Sequence, residues 1–168
     1  MPRFTLEQAR EKAKRVQRNR ANTKQGDKSE AQVMRLLVGM GFRCVRPIHT
    51  GWRILRKSGR IVGASPKAAV VGDIAAIMHG GRSVLVEVKD RPDRLSYGDI
   101  EQHQHEALKE HASIGGLSLV AWVRAGEVAI MDYRQLCMAD DAKLKKGKRL
   151  QWEQAQDLQM IGRCGSVF

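Results

Sequence analysis

Two side chains of opposite charge stand two places apart in VLVEVKDRP, residues 84–92: Glu87 and Lys89. Alternation along a strand sends both to one side and Val84, Val86 and Val88 to the other. A carboxylate and an ammonium held on one face can bind a divalent cation and hold a water or a phosphate oxygen. Upstream, AAVVGDIAAIMHGGRSVLVEVKD reads as two strands joined at HGGR. An antiparallel pair turning there sets residues near 73 opposite residues near 87 or 88, and so brings Asp73 beside Glu87. Two carboxylates that close repel; they need a cation, or one must hold a proton. Mg2+ suits such a pair, because it prefers oxygen ligands and keeps several waters. The plain alternative is an exposed strand end carrying a Glu–Lys ladder.

Two helices add polar residues where apolar ones are expected. In DKSEAQVMRLLVGMGF, Val33, Met34, Leu36, Leu37 and Met40 form a broad apolar face, with Gly41 as a stop. Glu30 precedes Met34 by four residues and Leu37 by seven, so it lies along that face. A carboxylate there is costly unless paired. A first-turn glutamate favoured by the helix dipole explains it equally well. In YGDIEQHQHEALKEHASIGG, Ile100, Gln104, Leu108 and His111 share a stripe that Gln104 interrupts. Gln104 either reaches the carboxylates or is a satisfied buried amide. His103 and His105 point apart on that helix and no cysteine lies near in sequence, which argues against zinc. No phosphate-binding P-loop and no Gly-x-Ser-x-Gly elbow is present.

The elements that must position these residues follow from the rest of the chain. Residues 5–20 read as a strongly basic helix, and ANTKQGD after it as a linker. FRCVRPI reads as a short strand, and HTGWRILRKSGRIVGASPK as a basic, Gly-rich hairpin or excursion. LSLVAWVRAGEVAIMDY is a second hairpin turning at RAGE. The order helix, strands, hairpin, helix, hairpin predicts an α/β fold with a central mixed β-sheet flanked by helices. The expected organisation is a basic N-terminal helical arm at 1–26, a core at 27–133 and a polar, partly helical C-terminal extension at 134–168.

Composition points to the partner. The 168 residues include 30 Lys and Arg against 18 Asp and Glu, a formal net charge of +12. Such a balance usually meets a polyanion, with nucleic acid first and an anionic membrane surface second. No apolar run is long enough to span a bilayer, and the first 20 residues lack the apolar stretch of a secretory signal. Cys44, Cys137 and Cys164 form neither a disulfide framework nor a zinc pattern, so a reducing cytoplasm is expected.

Helical Glu30, GD ending at Asp73 and EVK at 87–89 together resemble the restriction-endonuclease-like nuclease core, the PD-(D/E)xK group. The proline of that name is absent, since Val71 and Gly72 precede Asp73. GDIEQHQHEALKEHASIGGLSLVAWV is similar to the segment after the lysine in RecU-type Holliday-junction resolvases, with Asp99-Ile100-Glu101-Gln102-His103-Gln104 and Gly115-Gly116 in matching order. SPKAAVV, residues 65–71, is similar to that family's Pro-and-Lys loop, and the archaeal resolvases carry a helical Glu and a loop Ser that Glu30 and Ser65 match. The resemblance spans residues 28–133 and leaves the basic arm and the last 35 residues unexplained. The family's long stalk excursion is shortened or altered around 48–64.

The resemblance implies a catalytic set of Glu30, Asp73, Glu87, Lys89 and Gln104. Asp73, Glu87 and the Val88 carbonyl would hold Mg2+ or Mn2+, with Glu30 completing the cluster directly or through water. Lys89 would orient the attacking water and Gln104 would support it. The implied activity is hydrolysis of DNA phosphodiesters, as paired nicks in four-way junctions made by a cytoplasmic homodimer in a bacterial or phage-infected cell. Arg10, Lys14, Arg18, Arg53, Arg56, Lys57, Arg60, Ser65 and Lys67 are the expected DNA contacts. The alternatives are another structure-specific or restriction-like nuclease, or a non-catalytic nucleic-acid-binding module on a nuclease-like core.

Overall fold

The computed structural model describes residues 6–48, 52–57, 60–66 and 71–159. A long helix, α1 (Leu6–Gly39), leads into a five-stranded sheet built from β1 (Arg43–Pro47), β4 (Ile74–Ile77), β5 (Ser83–Asp90), β7 (Leu117–Arg124) and β8 (Glu127–Asp132). Its order is β1-β4-β5-β7-β8, and only β5 and β7 run parallel. β2 (Trp52–Lys57) and β3 (Arg60–Pro66) form a separate antiparallel hairpin. α2 (Gln102–Ser113) makes the crossover from β5 to β7. A second two-stranded piece joins β6 (Leu95–Ser96) to β9 (Arg149–Leu150), just ahead of α3 (Trp152–Asp157). The expected α/β architecture, a mixed sheet flanked by helices, is the observed one.

β5 is the middle strand, and both of its faces are covered. Val84 and Val86 pack under α1 with Val33, Leu37, Phe42, Leu119 and Ile130. Leu85 faces the other core, with Ile100 and Leu108 from the α2 side and Leu136, Leu144, Leu150 and Trp152 from the C-terminal segment. The sequence reading gave β5 one buried side and left the Glu87 side open. That was wrong in one respect: α2 and the C-terminal segment cover that side, and Glu87 is only 1% exposed.

The separate arm helix and linker expected around residues 5–27 are instead one continuous 34-residue α1. Helix propagation adds one hydrogen bond per residue once a turn exists, so Asn22, Thr23 and Gly26 are carried by the anchored turns that follow them. Those turns are tied to β5: Ser29 Oγ and Gln25 Nε2 donate to Asp90 Oδ2 at 2.6 and 2.9 Å. The helix ends where the Phe42 N–H reaches back to the Leu37 carbonyl at 3.1 Å, with both side chains in the core.

Gly72 explains the missing proline. Its φ is +76°, which the proline ring cannot adopt. A Cβ at this position would lie 2.7 Å from Leu85 Cδ1 and 3.2 Å from the Val86 carbonyl oxygen. Gly72→Ala is therefore expected to destabilise the chain by about 2–4 kcal/mol, from the left-handed backbone and the collision together. Urea unfolding measures this. A loss under about 0.5 kcal/mol, the level of an ordinary surface change, would show that the turn before Asp73 is free to rearrange.

Candidate active site

The β4–β5 register pairs Ile74 with Val86 and Ile77 with Ser83. Past Ile74 the regular ladder ends, yet the Asp73 side chain still meets Glu87, the arrangement on which the sequence reading depended. Three hydrogen bonds hold Asp73 there, one of them from the Ile48 N–H to its carbonyl at 2.8 Å. The Asp73 N–H donates to the Val86 carbonyl at 2.9 Å, and its Oδ2 accepts from the Val88 N–H at 2.7 Å. A side-chain carboxylate thus takes the place of a ladder carbonyl beyond the end of β4.

Glu87 is surrounded. Its Oε1 accepts from Lys89 Nζ at 2.7 Å and from Gln104 Nε2 at 2.6 Å. Gln104 Oε1 accepts in turn from Lys89 Nζ at 3.0 Å and from the Glu101 N–H at 2.9 Å. The last bond belongs to the first turn of α2, where an N3 glutamine reaches back to the N-cap amide. The same bonds fix the orientation of the amide, because an ammonium and a backbone N–H can only donate. Glu87, Lys89 and Gln104 therefore form a closed triangle, braced by a helix start.

Glu87 Oε2 is the exception. It is buried and has no hydrogen-bond partner. Burial first, and the neighbouring Asp73 charge second, push the Glu87 carboxyl up from 4.5 to about 7, against the pull of Lys89. When Glu87 holds a proton, its carboxyl can hydrogen bond to Asp73; when ionised, it stands beside a second carboxylate with Oε2 buried and unpaired. That environment fits a cation, which would satisfy Oε2 and cancel the repulsion in one step.

The other expected residues are distributed as follows. Glu30 is half-buried on α1, next to Ser29. Among the described residues no three His, Cys, Asp or Glu side chains gather as a metal-binding group, so the structure does not draw Glu30 into one cluster with Asp73 and Glu87. Arg10, Lys14 and Arg18 are exposed on the N-terminal half of α1. Arg53, Arg56, Lys57, Arg60 and Ser65 lie on β2 and β3, with side chains outside the described residues, as is Lys67 entirely.

Three residues that the sequence reading left without a structural role hold the site's frame. Asp90 receives α1, as described above. Asp99 accepts from Ser96 Oγ, from Arg91 Nε at 2.6 Å and from the Ser96 N–H at 2.7 Å, which hold its carboxyl below the usual range despite its partial burial. The Ser96-x-x-Asp99 spacing is a capping signature that was legible in the sequence. His105 is buried, stacked on Tyr97 at 3.9 Å, with Nε2 3.0 Å from the Tyr97 carbonyl and Nδ1 2.9 Å from Tyr133 Oη. Burial, and to a lesser degree the Lys89 charge, lower its pKa, so it sits neutral with the proton on Nε2. Nothing in its spacing announced this. His111 bridges Ser83 Oγ and Ser118 Oγ at 2.9 Å each, and His103 faces Glu101.

No protein-family model and no curated protein sequence matches the chain. A solved structure does. It is that of Hjc from Archaeoglobus fulgidus, a Holliday junction resolvase from an archaeal hyperthermophile. The superposition covers 83% of this chain and 99% of that one, with a TM-score of 0.52 and 16% identity. The chain has a resolvase-like nuclease fold. At that level of identity the likeness speaks for the architecture, and the chemistry must be argued from the side chains.

Proposed function

We propose that the protein is a metal-dependent DNA endonuclease, and that its substrate is the four-way junction. The observation that carries the nuclease reading is the buried Glu87 with its orphaned Oε2, beside Asp73 and braced by Lys89 and Gln104. The resolvase-like fold and the net charge of +12 support the choice of substrate.

Asp73, Glu87 and the Val88 carbonyl would hold Mg2+ or Mn2+, with Glu30 available through water. Bound there, the ion would polarise a phosphoryl oxygen and lower the pKa of a water. The remaining tasks fall to the chain itself. Lys89, pinned between Glu87 and Gln104, presents its ammonium to the attacking water and to the charge that builds on the phosphoryl group. Gln104 keeps Lys89 from collapsing onto Glu87 alone. A water oxygen bonds to phosphorus as the phosphorus–O3′ bond breaks. One proton leaves the water and one reaches O3′, giving a 5′-phosphate and a 3′-hydroxyl. A homodimer with a two-fold axis would place two such sites for symmetric nicks. Exposed Arg10, Lys14 and Arg18 would contact phosphates, giving affinity without sequence preference.

The test is cleavage of a labelled four-way junction beside flap and linear duplex controls, with Mg2+ and with EDTA. The expected result is a symmetric pair of nicks in the junction with Mg2+ only. Equal cutting of all three substrates would replace the resolvase by a broader nuclease. Binding without cutting in Mg2+ or Mn2+ would leave a binding module on a nuclease-like fold.

A further inference from the structure

The C-terminal segment carries a feature that neither the fold nor the carboxylate site requires. KLKKGKR, residues 143–149, holds five cations and no acid. Its ends are pinned in the core, since Leu144 and Leu150 are both fully buried. Between them the chain makes a tight turn, with the Lys148 N–H on the Lys145 carbonyl at 2.9 Å. The turn is also bonded sideways, because Arg149 pairs with Ser96 and Leu150 with Leu95. Lys146, Lys148 and Arg149 are exposed and make no ion pair among the described residues.

These three cations form one wall of a cavity of about 480 Å³ whose other wall runs from Ser96 and Tyr97 to Glu101 and Gln102. That second wall adjoins the candidate active site through the start of α2: the Glu101 N–H holds Gln104 Oε1, and Gln104 holds Glu87 and Lys89. A rigid basic turn thus faces the start of the helix that carries the active-site amide. Such a wall attracts phosphates and gains from releasing their counterions. Three cations along one wall exceed what a single small anion needs, and they suit a chain of phosphates.

We infer that the cleft between the 145–149 turn and the start of α2 holds the DNA strand leading to the Glu87 centre, so that the C-terminal segment is the second wall of the substrate channel. This deepens the nuclease reading and rests on it for the identity of the strand.

The experiment compares wild type with the triple variant Lys146→Ala/Lys148→Ala/Arg149→Ala, by fluorescence anisotropy on a labelled four-way junction and a labelled single strand across a salt series. All three side chains lie on the surface, and a melting curve verifies the fold. The triple variant is expected to bind about 10-fold or more weakly, with a log–log salt slope smaller by about 2–3, as for three lost phosphate contacts. A second triple variant of equal charge loss, Arg35→Ala/Arg43→Ala/Lys109→Ala, is expected to keep wild-type affinity and slope. Equal losses in the two variants, or no loss in the first, overturn the cleft. Cleavage is scored separately at saturating DNA. A wild-type chain that binds through the turn but never cuts removes the nuclease reading and leaves the cleft standing. A wild-type chain that binds neither DNA overturns both.

Discussion

Glu87→Gln is expected to abolish cleavage and, at the same time, to make the folded chain more stable at pH 8. The loss should reach about 10³-fold in rate, the equivalent of roughly 4 kcal/mol of transition-state stabilisation. The gain follows from the position of the carboxyl. In the unfolded chain a glutamate ionises near pH 4.5, while in the fold Glu87 ionises only near 7. Between these values the folded state binds the extra proton, so stability falls as pH rises, and the deficit is complete above pH 7. The gap corresponds to roughly 3 kcal/mol. Glutamine has no such term, keeps an acceptor for Lys89 and Gln104, and can donate to Asp73. Urea unfolding at pH 5 and pH 8 measures the difference, which should be small at pH 5 and favour the variant at pH 8. Mg2+ at pH 8 should raise the melting temperature of wild type and leave the variant unchanged. A variant less stable than wild type at pH 8 would mean that Glu87 is a satisfied structural ion pair, and the metal reading would fall with it.

Lys89→Met should act in the opposite direction on stability. It removes the cation 2.7 Å from Glu87 Oε1 while keeping most of the side-chain volume. A buried carboxylate left without its partner costs about 3–5 kcal/mol. That cost requires an ionised Glu87, so it should be present at pH 8 and largely gone at pH 5. Cleavage should drop by about 10²–10³-fold, the range for losing one electrostatic group at the reacting centre. In the double variant with Glu87→Gln, much of the stability cost should vanish, and the coupling can be read from a double-mutant cycle. An equal cost at both pH values would assign Lys89 a packing role only.

The carboxylate pair was legible because a hairpin with a short turn leaves few registers, and period-two alternation then decides which residues face each other. Gln104 was legible for a related reason, as a polar break in an apolar helical stripe. The depth of Glu87 was not. The core on that face of β5 draws in Leu136, Leu144, Leu150 and Trp152, whose irregular spacing shows neither helical nor strand periodicity. The continuity of α1 was hidden by residues that favour turns, and became visible only with the Asp90 anchor, a contact across 61 residues from Ser29. The resolvase-like fold was approached through short motifs, since overall identity to the archaeal structure is 16%.

Gln104 belongs to two cooperative units at once: it closes the first turn of α2 and it holds Lys89 against Glu87. Fraying of that turn and disordering of the Lys89 ammonium are then a single opening event. The Glu101 amide proton, bonded to Gln104 Oε1, exchanges with solvent only when that event occurs. A backbone hydrogen at an exposed residue is thereby a native reporter on a carboxylate that solvent does not reach.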